Sequence, residues 1–158
     1  TRRNALSLTM KIFVGADHRG FAPKGQLIAY LQKAGYDVED IGDKQFDPED
    51  DFPLFASTAA NKVLTSEDRD PRAILICGSG QGMAIASNRF KGIRAGLGWS
   101  VDAAKSTRND EDSNVLALPA EHFEGKNPKA LAIVDAWLST PFAGATRFLR
   151  RNKELDQL

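Results

Sequence analysis

The sequence predicts a single-domain α/β protein with a doubly wound, five-stranded parallel sheet of Rossmann or flavodoxin type and a C-terminal helix. Two observations predict this class. Apolar, β-rich runs alternate with helical stretches five times along 158 residues, and no internal repeat or interdomain linker interrupts the alternation. A chain of this length is also long enough to bury one hydrophobic core.

The first three strand–helix pairs are indicated by an apolar run followed by apolar residues at helical spacing. Leu27, Ile28 and Leu31 share one face of the first helix, and Gly35 is typical of a helix C-terminus. Pro53 suits the first turn of the second helix. The predicted strands are 11–16, 36–41 and 73–77, and the helices that follow them are 21–34, 53–65 and 81–90.

The second half of the chain continues the same alternation. Leu131, Val134 and Leu138 give one helix a strongly apolar face. The predicted strands are 93–97 and 115–118, and the predicted helices are 101–108, 128–138 and, at the C-terminus, about 143–155.

Charge and cysteine content exclude several classes of protein. Lys+Arg and Asp+Glu number 21 each, so net charge favours neither nucleic acid nor membrane as a partner. A single cysteine excludes an intrachain disulfide framework and a cysteine zinc cluster, and it is typical of a reducing, cytoplasmic location. No apolar run is long enough to span a bilayer. We expect residues 1–9 to form a disordered extension and residues 10–158 to form the domain.

The most informative stretch begins where the third apolar run ends, at Cys77-Gly78-Ser79-Gly80-Gln81-Gly82-Met83. Cys77 is expected at the carboxyl end of a strand, facing loop amides at a helix N-terminus that favour anions and thiolates. The glycine spacing fits neither a Walker loop nor a dinucleotide fingerprint, and Met83 stands where a tyrosine-phosphatase-type loop needs arginine. Two interpretations stay open: an anion cradle beside a reactive thiol, or a tight connection with a buried, inert cysteine.

A second polar segment, Asp17-His18-Arg19, follows the first strand. The carboxyl ends of parallel strands meet at one edge of the sheet, so this segment is expected near Cys77. Asp17 suits hydroxyl groups of a sugar, and His18 or Arg19 suits a phosphate. The alternative is that Asp17 only caps a helix.

Three further features have simpler interpretations. Residues 37–51 contain eight acidic residues against one lysine, and we interpret them as a solvated loop rather than a metal site. Arg147 and Arg151 share one face of the last helix, where a solvated basic tail is the alternative to a phosphate site. His122 follows the fifth strand and is predicted to be a surface residue.

Together these segments resemble the ribose-5-phosphate isomerase type B family, which includes galactose-6-phosphate isomerase subunits. The resemblance extends from Met10 to Arg151 and rests on the order and spacing of several short motifs. These motifs are Val14–His18, Ile76–Met83, Asn88, Gly92–Arg94, Ser113–Leu116, Ile133–Leu138 and the pair Arg147 and Arg151.

The resemblance implies an isomerase that interconverts D-ribose 5-phosphate and D-ribulose 5-phosphate through an enediolate, with no metal and no cofactor. It implies Cys77 as the base and Ser79 as the hydroxyl that helps move a proton between the two oxygens. The amides of Gly78, Gly80 and Gly82 are expected to stabilise the negative enediolate.

The resemblance also implies where the substrate binds. Asp17 matches a hydroxyl-binding aspartate, and His18, Arg147 and Arg151 match phosphate-binding positions. Family members are dimers or dimers of dimers with shared active sites, so the arginines are expected to serve the neighbouring subunit's site. The expected partners are a small-molecule sugar phosphate and a second copy of the chain, with no nucleic acid and no membrane.

Three segments depart from the family pattern. Asp110 stands in the place of the histidine that opens the furanose ring, and Glu111 replaces the asparagine beside it. We predict that Asp110 takes over ring opening and that Glu111 contacts the substrate, since a carboxylate can perform acid–base work. Phe52 and Phe55 stand where tyrosines are common, and Pro119-Ala120-Glu121 removes a usual arginine.

These departures leave two alternatives open. The same chemistry can act on another sugar phosphate, such as a hexose 6-phosphate. The chain can also be a non-catalytic module that binds a sugar phosphate or a nucleotide.

Overall fold

The computed structural model describes residues 10–158; the extension predicted at residues 1–9 lies outside the described residues. The strands are β1 (Lys11–Ala16), β2 (Asp37–Gly42), β3 (Arg72–Cys77), β4 (Ala95–Leu97) and β5 (Val115–Pro119). The helices are α1 (Phe21–Lys33), α2 (Phe52–Thr65), α3 (Gln81–Ser87), α4 (Val101–Glu111), α5 (Lys129–Ser139) and α6 (Thr146–Leu155). Within residues 10–158, none of these helices is both long and apolar enough to cross a bilayer.

The five strands form one parallel sheet in the order β2-β1-β3-β5-β4. The chain builds outward from β1 to β2 on one side and then returns to place β3 on the other side of β1. The sheet is therefore doubly wound, as the sequence predicts, and the strand order reverses between β1 and β3. Ligands of such folds bind outside the carboxyl ends of the strands at this reversal.

Side chains that alternate along each strand create two core layers, because successive residues of a strand point to opposite faces. Helices α1, α4 and α5 cover one layer, and α2 and α3 cover the other. The first layer contains Ile12, Val14, Ala16, Ile74, Ile76, Leu116 and Leu118 from the strands. The second contains Phe13, Ala73, Leu75, Cys77, Val115 and Ala117. Helices α1 and α3 thus leave the sheet on opposite faces, which opens a crevice between their first turns.

The predicted bounds are wrong around β4. Helix α3 ends at Ser87 and β4 begins at Ala95, where the sequence predicts 90 and 93. The side chain of Asn88 explains the short strand, since it donates to the carbonyl of Ala95 at 3.0 Å and accepts from its amide at 2.8 Å. Gly92, with a φ of 92°, completes the tight connection. Local hydrogen bonds therefore replace the helix and strand bonds that periodicity predicts.

Candidate active site

A pocket of about 570 Å³ lies at the point where the strand order reverses. Register aligns Ala16 of β1 with Ile76 of β3, so the residues that follow these two strands are neighbours. Helix α2 and the turn after β5 close the sides. The pocket is lined by Asp17, His18, Arg19, Phe52, Cys77, Gly78, Ser79, Gly82 and Glu121. The expectation that the two polar segments meet at one edge of the sheet is confirmed.

Cys77 is the last residue of β3 and pairs with Pro119 of β5. Its side chain packs in the core layer beneath α2 and α3, and only 5% of the residue is exposed. Cys77 therefore lies where an apolar core layer meets the pocket that it lines with Gly78 and Ser79. Such a position suits a group that reacts with one bound molecule rather than with bulk solvent.

The loop after Cys77 lines the pocket through Gly78, Ser79 and Gly82, whereas Gly80 is not a lining residue. Within residues 10–158, the amides of Gly78, Ser79 and Gly80 have no hydrogen-bond acceptor, and the Gln81 amide reaches Ser79 Oγ at 3.4 Å. A Cβ atom at Gly82 would lie 2.9 Å from the Phe52 ring, so only glycine fits there without displacing that ring. The loop thus provides several free N–H groups beside the thiol, which is the arrangement that binds a developing oxyanion.

Gly80 controls the shape of this loop and gives the first testable prediction. Its φ is +77°, and a Cβ atom would lie 2.9 Å from Leu97 Cδ1 and 3.0 Å from the backbone carbon of Leu118. We expect Gly80→Ala to lower the free energy of unfolding by about 3 kcal/mol, because it combines a strained backbone with overpacking. Urea denaturation followed by circular dichroism measures the change.

The matched control is Gly25→Ala in the exposed face of α1, where a Cβ atom meets nothing within 4 Å. We expect this substitution to raise the free energy of unfolding by about 0.5–1 kcal/mol, because alanine favours a helix interior. Two substitutions with effects of the same sign would contradict the account of the loop.

Asp17 caps the turn that follows β1. The interpretation of Asp17 as a capping residue is therefore confirmed. Its Oδ1 accepts hydrogen bonds from the amides of Arg19 and Gly20 at 2.9 and 3.3 Å. Burial raises the pKa of Asp17, and these two amide hydrogen bonds oppose the shift. Capping does not remove Asp17 from the pocket, so one carboxylate both shapes the turn and faces the candidate ligand space.

The acidic segment 37–51 is not wholly a solvated loop, because its first residues form β2 and the prediction is wrong for the buried side chain of Asp50. The Asp50 side chain is 6% exposed and accepts a hydrogen bond from His18 Nδ1 at 2.7 Å. Asp40 pairs with the buried Lys24 of α1 at 2.9 Å. Each carboxylate contacts a basic side chain from a distant segment. The sequence carries no signal for either pair, because the partners are 32 and 16 residues apart.

Arg19, the alternative to His18 as a phosphate contact, and Glu121 also line the pocket. A Cβ atom at Gly78 would lie 3.3 Å from the Arg19 guanidinium carbon, so the guanidinium lies close over the loop backbone. Glu121 brings a carboxylate to the same pocket. His122, predicted to be a surface residue, is half-buried, and its Nδ1 is buried without a hydrogen-bond partner in residues 10–158.

A second pocket, of about 490 Å³, lies between the end of α4 and helix α6. It contains Asp110, Glu111 and Arg151 and shares no lining residue with the Cys77 pocket. Burial raises the pKa of Glu111, and the neighbouring Asp110 carboxylate adds to the shift. Arg147, on the same helix, lies over the ring of Phe148 at 4.4 Å. A single chain therefore brings His18 to the Cys77 pocket, but Asp110 and Arg151 line a different pocket and Arg147 lies on the helix beside it.

The fold and the pocket define a small, doubly wound α/β enzyme whose site is built around a cysteine and a glycine-rich loop. Residues 12–155 match the family described as Ribose/Galactose Isomerase. The chain belongs to this family and is an isomerase, which confirms the resemblance drawn from its motifs.

Individual relatives agree with this assignment. Ribose-5-phosphate isomerase B of Mycolicibacterium paratuberculosis is 37% identical over 142 residues, which cover 90% of this chain and 87% of the relative. A 4-deoxy-4-sulfo-D-erythrose isomerase of a Clostridium species is 42% identical over 111 residues, which cover 69% and 67% of the two chains. The structure of Mycoplasma genitalium ribose-5-phosphate isomerase B with bound ribulose-5-phosphate superposes with a TM-score of 0.86 at 34% identity, over 95% and 96% of the chains.

Proposed function

We propose that this isomerase interconverts D-ribose 5-phosphate and D-ribulose 5-phosphate. The observation that carries the proposal is the pocket that Cys77 lines together with Gly78, Ser79 and Gly82, beside a loop whose amides at residues 78–80 have no acceptor within residues 10–158. The names of several relatives and the ribulose-5-phosphate bound in the Mycoplasma genitalium structure support the choice of substrate.

The proposed chemistry is a proton transfer between adjacent carbons. Cys77 removes the proton from the carbon beside the carbonyl, and the electron pair of that C–H bond forms the enediolate. The amides of Gly78, Gly80 and Gly82 stabilise the negative oxygen. Ser79 helps move a proton between the two oxygens, and Cys77 returns its proton to the neighbouring carbon. Because the amides stabilise the negative charge that develops on the enediolate oxygen, the proposed route assigns no step to a metal.

The proposed site is completed by a second copy of the chain. Asp17 binds hydroxyl groups of the sugar and His18 binds its phosphate, both within the Cys77 pocket. Arg147 and Arg151 lie on α6, next to the second pocket of the same chain. We therefore place these arginines, with Asp110 for ring opening and Glu111 for substrate contact, in the site of a neighbouring subunit.

A four-carbon substrate is the second candidate, and a specific observation favours it. The Clostridium relative, whose identity over the matched residues is 42%, is a 4-deoxy-4-sulfo-D-erythrose isomerase. That sugar carries sulfonate on C4 and has no hydroxyl there, so it cannot close a furanose ring. An enzyme for such an open-chain substrate needs no ring-opening imidazole, which is consistent with Asp110 at that position.

A substrate panel separates these functions. We expect kcat/KM for D-ribose 5-phosphate to exceed that for a tetrose 4-phosphate, 4-deoxy-4-sulfo-D-erythrose and a hexose 6-phosphate by about tenfold or more, because a pocket built for one chain length discriminates by transition-state contacts. A higher kcat/KM for a four-carbon compound would replace D-ribose 5-phosphate by a four-carbon sugar as the proposed substrate. Binding without turnover of any compound, measured by calorimetry, would leave only a binding module.

A further inference from the structure

We propose that Asp50 is a positioning residue: it holds the His18 ring so that Nε2–H, on a protonated imidazole, points toward the anionic end of a ligand in the Cys77 pocket. The inference rests on the proposed function of that pocket and adds a residue to it. Asp50 lies in the connection between β2 and α2, and it does not line the pocket itself.

The contacts of Asp50 fix both the backbone and the ring of His18. One oxygen, Oδ1, accepts from the His18 amide at 2.9 Å and from Nδ1 at 2.7 Å. The ring therefore cannot rotate without breaking a short hydrogen bond to a buried carboxylate. Since a carboxylate is an acceptor, Nδ1 carries the proton, and Nε2 is the nitrogen left for the pocket.

The burial of Asp50 indicates that its contact with His18 is not an ordinary surface ion pair. The side chain is 6% exposed, and its second oxygen, Oδ2, is buried without a hydrogen-bond partner in residues 10–158. A buried carboxylate is costly unless it is paired with a cation. The protonated His18 ring is the cation it contacts, so the carboxylate and the charged imidazole stabilise each other.

The other charges around His18 act in both directions. The hydrogen bond to Asp50 is the largest cause that raises the pKa of His18, and burial of the ring opposes it. The Asp17 carboxylate raises the pKa further, whereas the Arg19 guanidinium lowers it. Glu121 also lines the pocket, but the causes of the His18 pKa shift are the Asp50 and Asp17 carboxylates, burial and Arg19. Acidic groups dominate, so the cationic ring persists to higher pH than an ordinary histidine.

A cation site is the competing interpretation of this cluster. Asp17, His18 and Asp50 place one possible ligand atom each within 4.8 Å of one another. However, the Nδ1–Oδ1 separation of 2.7 Å is the length of a hydrogen bond, and Asp17 Oδ1 already accepts from two amides. Each of the three side chains thus already uses one of its possible ligand atoms, in the His18–Asp50 hydrogen bond or in the turn backbone, which favours the hydrogen-bonded pair over an ion site.

The first test needs no substrate and uses the only two histidines, His18 and His122. Imidazole NMR signals are followed through a pH titration, with His122→Gln identifying the His18 signal. We expect the His18 pKa to lie above that of an ordinary histidine, with Nδ1 protonated throughout, and to fall in Asp50→Asn. The matched control is Asp51→Asn, because Asp51 is exposed and its side chain makes no capping hydrogen bond. An unshifted His18 pKa in the wild type, or the same shift in both variants, would overturn the proposal.

The second test is the KM of the substrate identified by the panel. Below its pKa His18 is a cation that attracts the anion, and above its pKa that attraction is lost. Asp50→Asn lowers the pKa, so we expect KM to rise about tenfold near pH 7 and to show no rise near pH 5.5, where both proteins carry the cation. Equal rises of KM at both pH values would indicate a merely structural role for Asp50 and overturn the proposal.

The cation site is tested by adding Mn²⁺ alone to the protein. Loss of the His18 NMR signal at equimolar metal would favour the cation site and overturn the proposal.

The two tests separate the failure of this inference from the failure of the proposed function. A raised His18 pKa that depends on Asp50, in a protein that turns over no compound of the panel, would support the positioning and reject the isomerase site. If Asp50→Asn does not fold, the wild-type titration and Asp50→Glu, which keeps the charge and restores the raised pKa, decide the question.

Discussion

Cys77→Ala is expected to lower kcat by about a thousandfold, the middle of the range for the loss of a general base, while KM changes little. Cys77 lines the pocket and is 5% exposed, and no other cysteine exists in the chain. No other thiol can therefore replace it. The substitution removes one sulfur atom from a packed position, so we expect the free energy of unfolding to fall by only about 1 kcal/mol.

Steady-state kinetics and calorimetry of the same preparation measure this prediction. Retained binding of D-ribose 5-phosphate in Cys77→Ala shows that the pocket is intact, and it separates loss of the base from loss of the fold. Turnover within about twofold of the wild type would remove Cys77 as the base, since losing such a base costs far more.

The second large expected effect is the loss of activity when Arg151, which lies in the other pocket, is replaced. Arg151 lines a pocket that shares no residue with that of Cys77, and Arg147 lies on the same helix. If a neighbouring subunit supplies these arginines, two inactive variants can complement each other. We expect Arg151→Ala to lower kcat/KM by about a hundredfold, since a charge-assisted contact to phosphate contributes roughly 2–3 kcal/mol.

Co-expression of Cys77→Ala with Arg151→Ala tests the shared site. Random pairing makes about half of the dimers mixed, and each mixed dimer has one intact site out of two, so about a quarter of wild-type activity returns. The matched control is Cys77→Ala with Ser79→Ala, because both residues line the same pocket and no mixed dimer has an intact site. Activity no greater than the sum of the two variants measured alone would place the site within one chain.

Much of the fold follows from the sequence because its signals are local. Each buried strand is a short apolar run, and Lys11–Ala16 is predicted at its observed bounds. The meeting of Asp17 and Cys77 is predictable as well, because both follow parallel strands and the carboxyl ends of such strands share one edge. The sequence does not show that β1 and β3 are neighbours in the sheet, and this pairing is known only from the structure.

What the sequence does not reveal depends on contacts between distant segments. Asp50 lies in a run of acidic residues that is typical of a solvated loop. Its carboxylate contacts His18 only because the segment between β2 and α2 folds back onto the turn after β1. The shortening of β4 similarly depends on the Asn88 side chain. The second pocket forms because α6 packs against the end of α4, a long-range contact that periodicity cannot indicate.

Hydrogen exchange at carbon tests the central claim most directly. D-Ribose 5-phosphate is incubated in deuterated water with the wild type or with Cys77→Ala, and NMR follows the carbon beside the carbonyl. The proposed mechanism predicts deuterium in recovered substrate or in D-ribulose 5-phosphate with the wild type, and none above background with the variant. Equal incorporation by the two proteins would contradict the assignment of Cys77 as the base, and no incorporation by either would contradict D-ribose 5-phosphate as the substrate.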